Sequence, residues 1–187
     1  MNPAALGHFG VYSAYAALAA LAVTALKIGL AAPAGPARAV AACTPVLLVV
    51  AAAVAHLYAM LFSQSAAAFV ALARLRGEAK ARGERGPTLA EVKYGGNRPD
   101  AVLAADRCVG NYVEQLVPFL CALLAHAVFV SANGATQLGW LWLFFRSYYP
   151  LAYARPFPML LLSTMPAYAC LWWMMGSAVY HAVAQMP

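Results

Sequence analysis

Three polar residues with complementary chemistry share one face of a helix within an otherwise apolar stretch. Arg107, Asn111 and Glu114 stand at i, i+4 and i+7, a spacing that stacks side chains on one side of a helix. Together they offer a guanidinium, an amide and a carboxylate to a ligand. An ionisable group at membrane depth costs several kcal/mol unless it is paired or faces a polar cavity. We therefore expect this face to carry the function of the protein.

A second polar face follows at Arg146, Tyr149 and Tyr153, spaced as i, i+3 and i+7. In one interpretation Arg146 forms an ion pair with Glu114 across a tight helical hairpin, and the cluster is structural. In the other, the two faces form a pocket for a zwitterionic or anionic ligand, whose carboxylates receive the forked hydrogen bonds of arginine. The residues alone leave both interpretations open.

The composition indicates that these two polar faces belong to a membrane protein. Of the 187 residues, 64% are apolar and only 10% are charged, whereas soluble domains carry roughly 25% charged residues. The apolar runs are long and rich in alanine and leucine, which is typical of helices and not of barrel strands. We predict an all-α, multi-pass integral membrane protein with five spans.

The spans are delimited by charges, prolines and glycines. The first lacks the basic flank of a signal peptide, and the Pro-Ala-Gly-Pro turn at 33–36 ends it. Asp100 is the predicted N-cap of the third span, Pro118 is expected to kink it, and a tight turn is expected at 131–134. The five predicted spans are 4–32, about 45–76, 100–130, 136–154 and 158–184.

Charge is concentrated between positions 74 and 107, which hold eight of the twelve basic and five of the six acidic residues. This distribution predicts a solvated loop that sets topology by the positive-inside rule, with the amino terminus inside and the carboxyl terminus outside. The basic loop also favours an anionic membrane surface or an anionic ligand. No basic helix or aromatic-rich motif accompanies the charge, so nucleic acid is not an expected partner.

Other polar and aromatic residues receive structural interpretations. The cysteines form no CxxC pair and the four histidines are scattered, so no metal site is predicted. His56 is interpreted as an interhelical hydrogen-bonding residue that could line the same interior as Gln64. The tryptophans are interpreted as interfacial anchors. The residues in these two groups are Cys43, Cys108, Cys121 and Cys170, and Trp140, Trp142, Trp172 and Trp173.

The two polar faces, taken together, resemble those of the MAPEG family, membrane-associated proteins of eicosanoid and glutathione metabolism. The pattern is Arg-x3-Asn-x2-Glu on one helix and Arg-x2-Tyr-x3-Tyr on the next, with Pro118 after the glutamate and Arg155 after the last tyrosine. The resemblance covers about residues 43–185. It implies a four-helix domain over 37–187 with a basic loop at 74–99. The predicted amino-terminal transmembrane helix and turn over 1–36 are an addition that the usual family pattern lacks.

The resemblance also implies a ligand and an assembly. It predicts a homotrimer in contact with membrane lipids, with glutathione as cosubstrate between neighbouring protomers. A lipophilic electrophile or lipid hydroperoxide would arrive from the bilayer, and the activity would be that of a transferase or peroxidase. The implied glutathione-binding residues are Arg107, Asn111, Glu114, Arg146, Tyr149 and Tyr153.

Catalysis requires a group that stabilises the glutathione thiolate, because a free thiol has a pKa near ~8.5. Active members of the family usually place an arginine early in the last helix, but residues 159–164 of this chain contain none. The candidates here are Arg155, a cation, and after it Ser163, a neutral donor that lowers a pKa less.

The missing arginine and the additional first helix favour an alternative function. Under it, the protein is a non-catalytic MAPEG-like scaffold or an accessory subunit of a larger membrane complex, with protein partners. The sequence leaves the compartment open among endoplasmic reticulum, mitochondrial and photosynthetic membranes.

Overall fold

The computed structural model describes residues 37–186, with side chains from Cys43 onward. The predicted first span at 4–32 lies outside the described residues. Within them the chain is all-helical, as predicted. The six helices are α1 (Ala37–Ala81), α2 (Leu89–Tyr94), α3 (Asp100–Phe129), α4 (Ala132–Ser147), α5 (Tyr149–Tyr153) and α6 (Leu161–Ala184).

Helices α1 and α3 are long and apolar enough to cross a membrane. Helix α1 has 45 residues, about twice the number that a hydrocarbon core requires. It continues past Arg76, where we predicted its end, because arginine and lysine are good helix formers. Its end lies just before Gly83, whose φ of 70° is in the left-handed region that favours glycine.

The charged loop carries a short helix of its own, α2. Thr88 caps it: the Thr88 side chain accepts a hydrogen bond from the Glu91 amide, and the Thr88 amide donates to the Glu91 carboxylate at 2.6 Å. This backbone donor holds the pKa of Glu91 below its usual range. The hydrogen bond from the Thr88 amide to the Glu91 carboxylate therefore stabilises the cap fully at pH values above the usual pKa of glutamate. This stabilisation is lost as the pH falls through the lowered pKa of Glu91.

Helix α2 is attached to the bundle by a small apolar cluster. Val92 is buried against Leu72 of α1 and Val102 of α3. In addition, Arg76 Nε donates to the carbonyl of Pro87 at 3.0 Å. The loop that we predicted to be merely solvated is thus packed on the ends of α1 and α3.

The four long helices form a bundle in which α3 and α4 are central. Each of these two packs against the other and against both α1 and α6, which lie on opposite sides. The helices approach closely at Gly139 of α4, where an added Cβ would lie 2.7 Å from Val49 and 2.8 Å from Leu123. Small residues let membrane helices approach in this way.

Buried aromatic residues fill the centre of the bundle. Trp142 stacks on Phe119 with ring centroids 3.8 Å apart, and the Tyr112 hydroxyl donates to the carbonyl of Ala53 at 2.9 Å. His56 meets the ring of Tyr112 edge-on at 4.8 Å. Trp142 is therefore a core residue, and its prediction as an interfacial anchor is wrong.

Several predicted helix ends differ from the structure. Helix α3 has Pro99 as its N-cap, so Asp100 is its first residue and not its cap. The predicted turn at 131–134 is the start of α4, with Ser131 as the N-cap that accepts from the Gly134 amide at 3.1 Å. Pro118 lies inside α3, which is continuous across it.

The predicted fourth span at 136–154 is broken in two. Helix α4 ends at Ser147 and α5 begins at Tyr149. Pro150 causes the break, because it has no amide hydrogen to donate to the carbonyl of Arg146 and its ring would clash there. After the break, α5 packs against α3, so its two tyrosines lie beside that helix.

Candidate functional site

A cleft of about 370 Å³ lies between the first half of α3 and α5. It is at the end of the bundle where α1 finishes and the charged loop packs. The residues that line it are Arg98, Leu103, Asp106, Arg107, Gly110, Asn111, Glu114, Tyr149 and Tyr153.

One stripe of α3 forms the longer wall of the cleft. Arg107, Asn111 and Glu114 belong to it, with Gly110 between them. Arg107, Gly110 and Glu114 are exposed and Asn111 is half-buried. An added Cβ at Gly110 would meet no atom within 4 Å, so the wall is open at this point. The cleft is therefore accessible from outside the chain along α3.

Helix α5 supplies the opposite wall. Tyr149 and Tyr153 stand one turn apart, and their rings stack with centroids 6.0 Å apart. Tyr149 is buried, whereas Tyr153 is 37% exposed. The pair thus offers an aromatic surface and two phenolic hydroxyls to the cleft.

Two charged residues of the cleft were not predicted. Arg98 Nη1 donates to Asp106 Oδ2 at 2.7 Å, and Gln64 of α1 donates to the other Asp106 oxygen at 2.8 Å. The network joins the linker before α3 to α1. Asp106 could have been found from the sequence, because it stands four residues before Gly110 and eight before Glu114, on the same helical face.

Arg146 lies behind the cleft and not in it. It is 1% exposed, and its Nη2 donates to Asn111 Oδ1 at 2.5 Å and to the Asn111 carbonyl at 3.1 Å. Its guanidinium carbon is 4.7 Å from the ring centroid of Tyr149 and 5.8 Å from that of Trp142. Arg146 thus contacts two lining residues from the protein interior.

The alternative of an ion pair between Arg146 and Glu114 is wrong for this structure. All salt bridges found in residues 43–186 join residues within the segment 74–106. None of them includes Arg146 or Glu114. The reason is geometric, since Asn111 is the α3 residue that meets Arg146, whereas Glu114 is exposed on the cleft side.

Neither of the two candidate thiolate-stabilising residues is among the residues that line the cleft. Arg155 is exposed just after α5. Ser163 is fully buried, and its hydroxyl donates to the carbonyl of Phe145 at 2.6 Å, so it ties α6 to α4. Helix α6 contains no lysine or arginine. Nearby, Thr164 Oγ1 is buried without a hydrogen-bond partner among the described residues.

The family comparison bears on the whole of this bundle. The model of the MAPEG family matches residues 46–180. The chain belongs to the MAPEG family. No curated protein and no solved structure gives a significant match. The family match starts within α1 and ends within α6, so it includes every residue of the cleft and confirms the resemblance drawn from the two polar faces.

Family membership and the long apolar helices identify a MAPEG-like, all-helical membrane protein. The family is associated with glutathione in general. Among residues 43–186, no three histidine, cysteine, aspartate or glutamate side chains are grouped as metal ligands would be.

Proposed function

We propose that the cleft binds glutathione and that the protein is a transferase or peroxidase which presents the bound thiol to lipophilic electrophiles or lipid hydroperoxides. The observation that carries this proposal is the convergence of five residues of the sequence pattern on one cleft: Arg107, Asn111, Glu114, Tyr149 and Tyr153. Its volume of about 370 Å³ is within the range of roughly 300–1,000 Å³ for small-molecule clefts.

The charges of the cleft suit this ligand. Arg98 and Asp106 form an ion pair with each other at 2.7 Å. This leaves the guanidinium of Arg107 and the carboxylate of Glu114 for a ligand, two helical turns apart on the same wall. Glutathione carries one ammonium and two carboxylates, so it can meet both groups at once.

The chemistry begins with the thiol. A cation near the sulfur would favour the thiolate, and Arg155 is the proposed cation because it directly follows the helix that carries Tyr153. With an epoxide, the thiolate forms a carbon–sulfur bond, the ring carbon–oxygen bond breaks, and the alkoxide takes a proton. With a hydroperoxide, two glutathione molecules give the disulfide, an alcohol and water.

The surroundings suit a lipophilic second substrate. Val113 stands next to Glu114, Val117 continues α3 beyond the cleft, and both are exposed. We propose that this apolar surface faces lipid and that the electrophile enters along it. We further propose a homotrimer in which a neighbouring protomer completes the open side of the cleft near Arg107 and Glu114.

A second function is favoured by helix α6. It has no lysine or arginine, and the Ser163 hydroxyl is bonded to the backbone of α4. A protein with this helix could bind glutathione or lipid without activating a thiol. It would then serve as a non-catalytic scaffold or an accessory subunit of a membrane complex. Glutathione binding without turnover would favour this function over the enzyme.

Gly110 allows a direct test. A leucine there would fill the cleft, because the position lines it and has free space for a Cβ. Gly110→Leu is expected to abolish conjugation of glutathione to 1-chloro-2,4-dinitrobenzene by the purified protein in lipid vesicles. The matched control is Gly176→Leu, on α6, where a Cβ also meets no atom within 4 Å. Equal turnover in both variants would refute an active site in this cleft.

A further inference from the structure

The contact between Arg146 and Asn111 fixes the orientation of an amide in the cleft. Arg146 Nη2 lies 2.5 Å from the Asn111 side chain. A guanidinium only donates hydrogen bonds, so the atom that faces it must be the amide oxygen and not the nitrogen. The Asn111 NH₂ group is therefore turned away from Arg146. Because Asn111 lines the cleft, this NH₂ group is the part of the amide left for a ligand.

Arg146 is placed to hold this orientation firmly. The same Nη2 also donates to the backbone carbonyl of Asn111 at 3.1 Å. The guanidinium is therefore hydrogen-bonded to both the backbone and the side chain of this residue. Arg146 itself is confined by the ring faces of Tyr149 and Trp142. Among residues 43–186, its Nε and Nη1 have no hydrogen-bond partner, so Asn111 is the only hydrogen-bonding partner that positions it there.

We propose that Arg146 is a positioning residue, which acts through Asn111 and not by touching the ligand. It makes the cleft present N–H donors at Asn111 and so select an acceptor, a carboxylate or carbonyl oxygen, at that point. An ammonium group would be rejected there and directed to Glu114. The inference rests on the proposed glutathione function, since glutathione offers both carboxylates and peptide carbonyls.

A double-mutant cycle on glutathione affinity tests the positioning role. Asn111→Asp keeps an acceptor for Arg146 but removes the donors, so glutathione affinity should fall about 10- to 100-fold. Arg146→Met should cause a loss of about tenfold in the native background and almost none in the Asn111→Ala background, and Arg146→Lys should restore part of it. The proposal would be overturned if Arg146→Met lowered glutathione affinity by the same factor in the native and Asn111→Ala backgrounds, or if Asn111→Asp kept full affinity.

Thermal unfolding of the ligand-free protein gives a readout that does not depend on glutathione. When Arg146 is present, Asn111→Asp should keep or raise the unfolding midpoint, because the buried guanidinium of Arg146 gains a carboxylate as its partner. In the Arg146→Met background the same substitution should lower the midpoint, because the new carboxylate has no cation beside it. An equal loss in both backgrounds would overturn the contact. If the unaltered protein fails to bind glutathione, the proposed function falls, while this midpoint cycle still decides the orientation of Asn111.

Discussion

At the scale of single residues, some charged side chains of the site form contacts within the protein, and others remain available to a ligand. Arg98 and Asp106 neutralise each other, Arg146 holds Asn111, and Arg107 and Glu114 remain for a ligand. The sequence identified Arg107, Asn111, Glu114 and Arg146, but it identified neither the Arg98–Asp106 pair nor this division of charges. Helical spacing places residues on a face, whereas the partner of Arg146 depends on how deeply α3 and α4 approach each other.

Arg155 gives a prediction at this scale. If its guanidinium stabilises the thiolate, Arg155→Ala should raise the pKa of bound glutathione, and Arg155→Lys should raise it less. The ultraviolet absorbance of the thiolate, followed against pH, measures this pKa directly. Lys80→Ala, which removes an exposed cation on α1, is the control. An identical titration in Arg155→Ala and the unaltered protein would exclude Arg155 as the activating group.

At the scale of elements, the four long helices of the described region follow from composition and periodicity. The ends that differ do so for local reasons, such as Pro150, which separates α5 from α4. Helix α2 could not be predicted from charge density, because Val92 attaches it to α1 and α3, two helices that are far apart in the sequence and come together only in the fold. The elements nevertheless converge on one end of the bundle, where the cleft forms.

Close packing at Gly139 gives an element-scale prediction. Gly139→Ala should destabilise the bundle by about 1–3 kcal/mol, because its Cβ would overlap Val49 and Leu123. Differential scanning fluorimetry in detergent measures the change as a lower unfolding midpoint. Gly176→Ala, in open space on another helix, should leave the midpoint unchanged or raise it. Similar midpoints for the two variants would contradict the close approach of α1, α3 and α4.

The attachment of α2 gives a second element-scale prediction. Val92→Ser should release α2 from α1 and α3, since its side chain is 3% exposed, and loosen the linker that carries Arg98. We expect faster amide exchange over residues 88–99 with little change in the core of α3, measured by hydrogen–deuterium exchange. Tyr94, on the same helix and 78% exposed, provides the control, Tyr94→Ser. Unchanged exchange in Val92→Ser would show that α2 is held by other contacts.

At the scale of the whole molecule, the bundle has two distinct ends. The cleft, the charged loop and the start of α6 are at one end, and the turn at Ser131 with the end of α6 is at the other. The positive-inside rule then predicts that the cleft opens on the cytoplasmic side. How many times the full chain crosses the membrane stays a prediction, because the first predicted span lies outside the described residues.

This topology can be tested with single cysteines. After serine replaces the native cysteines, Glu84→Cys near the cleft end and Asn133→Cys at the opposite end, both exposed, should react with a membrane-impermeant maleimide from opposite sides of sealed vesicles. Glu84→Cys should label only from the cytoplasmic side. Labelling of both positions from the same side would contradict the transmembrane arrangement of α3, the long helix between them.

The central claim is that the α3–α5 cleft binds glutathione through Arg107 and Glu114. Isothermal titration calorimetry of glutathione into the purified protein in mild detergent tests it most directly. We predict saturable binding that is lost, or weakened at least about tenfold, in Arg107→Ala and Glu114→Gln, which each remove one charge pair. Lys80→Ala and Glu78→Gln, outside the cleft, should bind as the unaltered protein does. No binding by a well-folded protein, or equal binding in all four variants, would contradict the account.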